Sequence, residues 1–130
     1  MTTCGLWPAR RRLVAVLLGP AGDVRRTLHA ALTDDARYGL IEYLAGAELE
    51  IVLTEALARS DLVAQQAVRH GMPVWTVDDS LVGALLGAAA IRDPARAAAL
   101  LARLPRIALL RTSLRRLSPP EAPARRLPLP

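Results

Sequence analysis

The stretch over residues 49–80 constrains this chain more than any other. Leu49-Glu50-Ile51-Val52-Leu53-Thr54 is a short apolar run, residues 60–71 carry helical spacing, and Pro73-Val74-Trp75-Thr76-Val77-Asp78-Asp79 is a second short run. Two such runs around an amphipathic helix predict a parallel pair of strands. A crossover helix returns the chain to the same end of the sheet, and that connection is right-handed. The class is therefore α/β. The same reading puts Glu55 and the pair Asp78/Asp79 just past the carboxyl ends of neighbouring strands, where open α/β sheets place their sites.

At 130 residues the chain makes one domain with room for a real core. An apolar share of 52% excludes wholesale disorder, and with no Phe the core must be aliphatic. All 17 basic residues are Arg, with no Lys and no Asn, a bias that GC-rich coding produces, so the formal charge of +5 says little by itself. The distribution says more. Residues 1–102 hold 10 Arg against 11 acids, whereas residues 103–130 hold 7 Arg against Glu121 alone. Arg10, Arg11 and Arg12 form a second basic run, so the body is mildly acidic and both ends are basic. A lone Cys4 excludes a disulfide framework and a zinc cluster, and a reducing cytoplasm is the expected compartment. The apolar run over 13–18 after the arginines is too short for a signal peptide and lacks its cleavage site. No run reaches the roughly 18 apolar residues of a membrane span.

Along the chain, residues 1–9 read as a flexible lead and 12–18 as a strand. Gly19-Pro20-Ala21-Gly22-Asp23 is a turn. Residues 24–33 fit either a helix, with Val24, Leu28, Ala31 and Leu32 on one face, or a strand closing a hairpin. Asp34 or Asp35 can cap a helix over 36–45, and Ser80 one over 81–90. Asp93-Pro94 starts a further helix that ends at Pro105. The α/β domain thus spans 10–105. Ile107, Leu110, Leu114 and Leu117 predict an amphipathic basic helix over 106–117, and 118–130 reads as a disordered Pro/Arg tail.

Two features point to chemistry. Glu55, Asp61, Asp78 and Asp79 are candidate catalytic carboxylates, with Glu55, Asp78 and Asp79 as candidate ligands for Mg²⁺, a hard cation that takes oxygen donors. Ser60 or Asp61, and Asp79 or Ser80, equally serve as helix caps. The basic ends, Arg10, Arg11 and Arg12 with Arg111, Arg115, Arg116, Arg125 and Arg126, are candidate phosphate contacts. A solvated tail, a membrane surface or a partner helix would use the same residues. His70 before Gly71 reads as a helix end, and His29 has no catalytic partner in view. The turn at 19–23 lacks the spacing of a nucleotide-binding loop.

The order of elements resembles a known family. Ala36-Arg37-Tyr38-Gly39-Leu40-Ile41-Glu42-Tyr43-Leu44, then Glu50-Ile51-Val52-Leu53-Thr54-Glu55, His70-Gly71-Met72-Pro73-Val74-Trp75-Thr76-Val77 and Asp93-Pro94-Ala95-Arg96-Ala97 are similar to the amino-terminal RuvC-like (RNase H-like) domain of the DEDD insertion-sequence transposases. The resemblance covers 13–104. It implies that Glu55 matches the family's strand-end Glu and that Asp93 stands near its later acidic position. The family places an Asp in its first strand, and the run over 12–18 has no acid, which implies a copy that is not a nuclease. A weaker resemblance, carried by Ser60-Asp61-Leu62-Val63-Ala64 and the 70–78 segment, is to PIN-domain ribonucleases, where Asp61 and Asp78 match acidic positions.

The expectation is a three-layer α/β domain of three to five strands, RNase H-like if 24–33 is a strand and doubly wound if it is a helix. Functionally the chain reads as a nucleic-acid-associated, transposase-like protein without catalysis. The alternatives are an interaction module docking on a partner or a second copy through 107–117, and a metal-dependent nuclease.

Overall fold

The computed structural model describes residues 2–88 and 92–118. A six-stranded mixed sheet forms its centre: β1 (Thr3–Pro8), β2 (Arg12–Leu18), β3 (Val24–Ala31), β4 (Glu50–Thr54), β5 (Val74–Val77) and β6 (Arg115–Arg116). Their spatial order is β3-β2-β1-β4-β5-β6. β1, β2 and β3 form an antiparallel meander, β1 pairs parallel with β4, and β4 parallel with β5 in the register Ile51 to Val74 through Thr54 to Val77. The predicted parallel pair is present, joined by two short helices (Glu55–Ser60 and Val63–Arg69) rather than one over 60–71, and the tips of β1, β4 and β5 all open on one rim.

Two other expectations are corrected, and one open alternative is settled. Residues 1–9 are not a loose lead: residues 3–8 are a central strand hydrogen-bonded on both edges. Cys4 and Leu6 are fully buried on one face, and Thr3 is fully buried as well. A strand covered on both faces shows no polar alternation, so Gly5 and Pro8 dominated its sequence signal. Residues 24–31 take the strand alternative, entered through a turn in which Gly22 has φ +85°. Finally, 106–117 is not one helix. A 3₁₀ turn (Leu104–Arg106), a single helical turn and β6 follow each other there. Leu110 and Leu114 pack on one face of the sheet and Leu117 on the other, so the chain wraps the β5 edge, which a straight helix cannot do. Of the predicted tail, residues 119–130 lie outside the described residues.

One face is covered by α1 (Asp34–Ala45), α2 (Glu55–Ser60) and α3 (Val63–Arg69). Leu40, Ile41 and Leu44 of α1 and Val63, Ala64 and Ala67 of α3 pack there with Leu6, Leu13, Ile51 and Leu53. The other face carries α4 (Asp79–Leu86) and α5 (Pro94–Arg103), followed by α6 (Ala108–Arg111). α5 is alanine-rich on its inner side, and Ala98, Ala99 and Ala102 meet Val14, Val16 and Leu18. Small side chains let this helix approach so closely that a Cβ at Gly5 would lie 1.8 Å from the Ala98 carbonyl oxygen. The layers are helix, sheet, helix, and no described helix is long and apolar enough to cross a membrane.

Candidate functional site

The rim at the carboxyl ends of β1, β4 and β5 gathers most of the sequence candidates. Glu55 is the first residue of α2, directly after β4, and its side chain is 29% exposed with the Arg115 guanidinium 3.9 Å away. Asp78 follows β5. Its Oδ1 accepts the Ser80 N–H at 2.7 Å, so Asp78, rather than Asp79 or Ser80, caps α4. Asp79 reaches sideways, and its Oδ1 accepts the Ala56 N–H at 3.0 Å. That bond ties the β5 tip to the first turn of α2.

Asp61 is not part of this group. It lies six residues beyond Glu55, about 9 Å along the helix axis. Its carboxylate is occupied: Oδ2 accepts from Arg37 Nε at 2.8 Å and lies 2.7 Å from the second guanidinium nitrogen, while Oδ1 takes the Val63 N–H at 2.9 Å. With its side chain only 8% exposed, this is a structural pair joining α1 to the α2–α3 corner. Among the described residues no group of three or more His, Cys, Asp or Glu is arranged to hold a metal ion. The candidate set therefore divides into Glu55, Asp78 and Asp79 on the rim and Asp61 apart from it.

The first strand of the sheet is β1, not β2, and its rim end reads Leu6-Trp7-Pro8. It too has no acid. Trp7 packs between the two clusters on the α5 face. α5 runs antiparallel to β1, as the Thr3 hydroxyl donates to the Ala102 carbonyl at 2.8 Å and Gly5 sits against Ala98. Four helical residues and two strand residues cover nearly equal distances, about 6 Å, so the next step up brings Pro94 level with Trp7. Asp93 therefore stands at the same rim, as the cap of α5, its Oδ1 accepting the Arg96 N–H at 3.1 Å.

The arginines sort by the elements that carry them. Arg10 and Arg11 are exposed at the tip of the β1–β2 hairpin, which the Ala9 N–H to Arg12 carbonyl bond of 2.8 Å closes on this rim. Arg12 points across the strand pair, where its Nε donates to His29 Nδ1 at 2.9 Å. Arg115 and Arg116 are on β6 opposite Thr76 and Trp75, with the Arg116 guanidinium 5.5 Å from the Trp75 ring centre. With Arg59 and Glu55 they border a recess of about 340 Å³. Arg111 is exposed at the end of α6, and Arg125 and Arg126 lie outside the described residues. Arg92 and Arg96 were not among the sequence candidates, and nothing local to them signals that α5 begins beside a hairpin 80 residues earlier.

No protein-family model matches this chain, and no curated protein matches it. Among solved structures it is similar to RuvC of T. thermophilus, determined in complex with a Holliday junction substrate. The match has 13% identity and a TM-score of 0.62, and covers 90% of this chain and 99% of that one. At that identity the likeness concerns the backbone, and with the strand order and helix layers above it establishes the RNase H-like α/β fold for this chain.

Proposed function

We propose that this protein associates with nucleic acid, in the manner of a transposase-like RNase H-fold domain, and does not cut it. The observation that supports this most directly is the make-up of the rim. Trp7 occupies the end of β1, and exposed arginines border the rim on both sides, Arg10 and Arg11 at the hairpin and Arg115 and Arg116 at β6. Guanidinium forks suit phosphate, and an indole cannot ligate a divalent cation. A phosphodiester cut between two metals needs carboxylates placed to clamp both ions, and β1 supplies none. The solved neighbour with this fold was determined in complex with a Holliday junction substrate, which fits the same partner class.

A gel-shift titration of DNA and RNA duplexes and single strands at stepped salt tests the reading. Binding that weakens linearly in log–log form with salt is expected, with intact probe in Mg²⁺. Salt-independent behaviour or no shift would remove nucleic acid as the partner, and Mg²⁺-dependent shortening of the probe would restore a nuclease using Glu55, Asp78 or Asp79.

A second reading, docking on another protein or a second copy, is favoured by one observation. Leu109 of α6 is 89% exposed and Ile107 39%. Sedimentation of the full chain and of Leu109→Asp checks it. A monomer in both counts against docking.

A further inference from the structure

Resting on the nucleic-acid reading, we propose that Arg10, Arg11, Arg92 and Arg96 form a phosphate clamp at the β1 end of the rim, taking successive phosphates of one nucleic-acid strand. The two pairs come from opposite ends of the domain and meet through packing. Ala9, next to Arg10, and Ala95, next to Arg96, both seat on the cluster built by Val14, Val16, Ala98 and Ala102, with Trp7 beside them. All four arginines are exposed, and none forms an ion pair with a described residue.

Asp93 stands among them, yet its Oδ1 is engaged by the Arg96 N–H as a helix cap, and the group retains a net positive charge. Arg92, Asp93 and Arg96 with Ala88 line a recess of about 380 Å³ at the foot of the helix. The positive end of the ten-residue helix α5 faces the same rim and adds to the attraction for an anion. Where β1 supplies no carboxylate to gather cations, exposed guanidiniums supply the positive charge instead. The strands β1, β4, β5 and β6 are spaced about 4.8 Å apart, so this clamp lies roughly 14 Å from Arg115 along the rim. A strand can bridge the two, since a nucleotide step spans about half that distance.

The test uses fluorescence anisotropy of a labelled single-stranded DNA oligonucleotide with the full chain, over a salt series. Two variants remove equal charge. Arg92→Gln/Arg96→Gln alters the clamp, and Arg69→Gln/Arg103→Gln alters exposed arginines at the opposite ends of their helices. The first is expected to weaken binding roughly tenfold and to lower the salt slope by about 1.4, with the second near wild type. Arg10→Gln/Arg11→Gln should match the first. Equal losses in both charge-matched pairs would overturn the clamp in favour of diffuse attraction. Wild-type binding that survives Arg92→Gln/Arg96→Gln but fails in Arg115→Gln/Arg116→Gln would overturn the clamp and leave the nucleic-acid reading standing. A wild-type chain with no salt-dependent binding would overturn both.

Discussion

At the scale of single residues, two positions carry more than their size suggests. Gly5 lies where α5 presses on β1, and any side chain there meets a backbone carbonyl rather than a flexible neighbour. Gly5→Ala is expected to destabilise the fold by about 3 kcal/mol, seen as a lower urea midpoint at unchanged m. Asp61 has two partners and little solvent. Asp61→Ala leaves the Arg37 guanidinium, 15% exposed, without its counter-ion, and should cost about 3 kcal/mol. Asp78→Ala removes an exposed cap and should cost only about 1 kcal/mol. The contrast, measured in the same denaturant series, separates a structural carboxylate from a rim carboxylate. Sequence reasoning grouped them as carboxylates that could converge near the strand ends, and spacing alone carries no information on which acid finds a guanidinium across the fold.

At the scale of elements, legibility followed burial pattern. β4 and β5 stood out because both are short, mainly β-branched and apolar runs flanking a helical connection, and the Asp93-Pro94 start of α5 followed from local capping chemistry. β1 escaped because it is covered on both faces and broken by Gly5 and Pro8, while β3, an edge strand with most side chains in solvent, has a pattern that a helix fits equally well. The helical spacing of Leu110, Leu114 and Leu117 was a coincidence of a chain rounding the sheet edge. β1 is the element on which the others depend, since it is the ladder partner of both β2 and β4. Deleting residues 1–8 is expected to abolish the cooperative thermal transition followed by far-UV circular dichroism. Leu101→Ala, which opens the α5 face, should lower stability by about 3 kcal/mol and keep the transition cooperative.

At the scale of the whole molecule, Cys4 reports on global opening. It sits on the central strand with no solvent exposure, and burial pushes its thiol well above the ordinary range. The thiolate therefore does not form in the native state, and the unfolded chain loses this proton first as pH rises. Stability from Cys4 is complete below the unfolded thiol's own pKa and declines above it. Labelling by a thiol reagent in native buffer should proceed only at the rate or population of global unfolding and should accelerate in parallel with denaturant. Fast labelling at zero denaturant would show that β1 frays independently of the core. Charge is arranged on the same scale. Arginines from the hairpin, α5 and β6 border a rim where Asp78 and Asp93 are engaged as caps, Asp79 in a backbone bond and Glu55 with Arg115, so the field presented to a polyanion belongs to the fold rather than to any one segment.

The amino-acid sequence by itself determined the α/β class, the parallel β4–β5 pair, the shared rim of Glu55, Asp78 and Asp79 and the start of α5. Each of these depends on short-range periodicity or on a cap within three residues. Only the tertiary structure decided that residues 3–8 stand at the centre of the sheet, that Asp61 belongs to Arg37, and that Ala95 at the start of α5 packs on the same cluster as Ala9 of a hairpin far away in the chain. Those outcomes depend on which surfaces are buried against each other, and burial on both faces erases the periodic signal from which a strand is read.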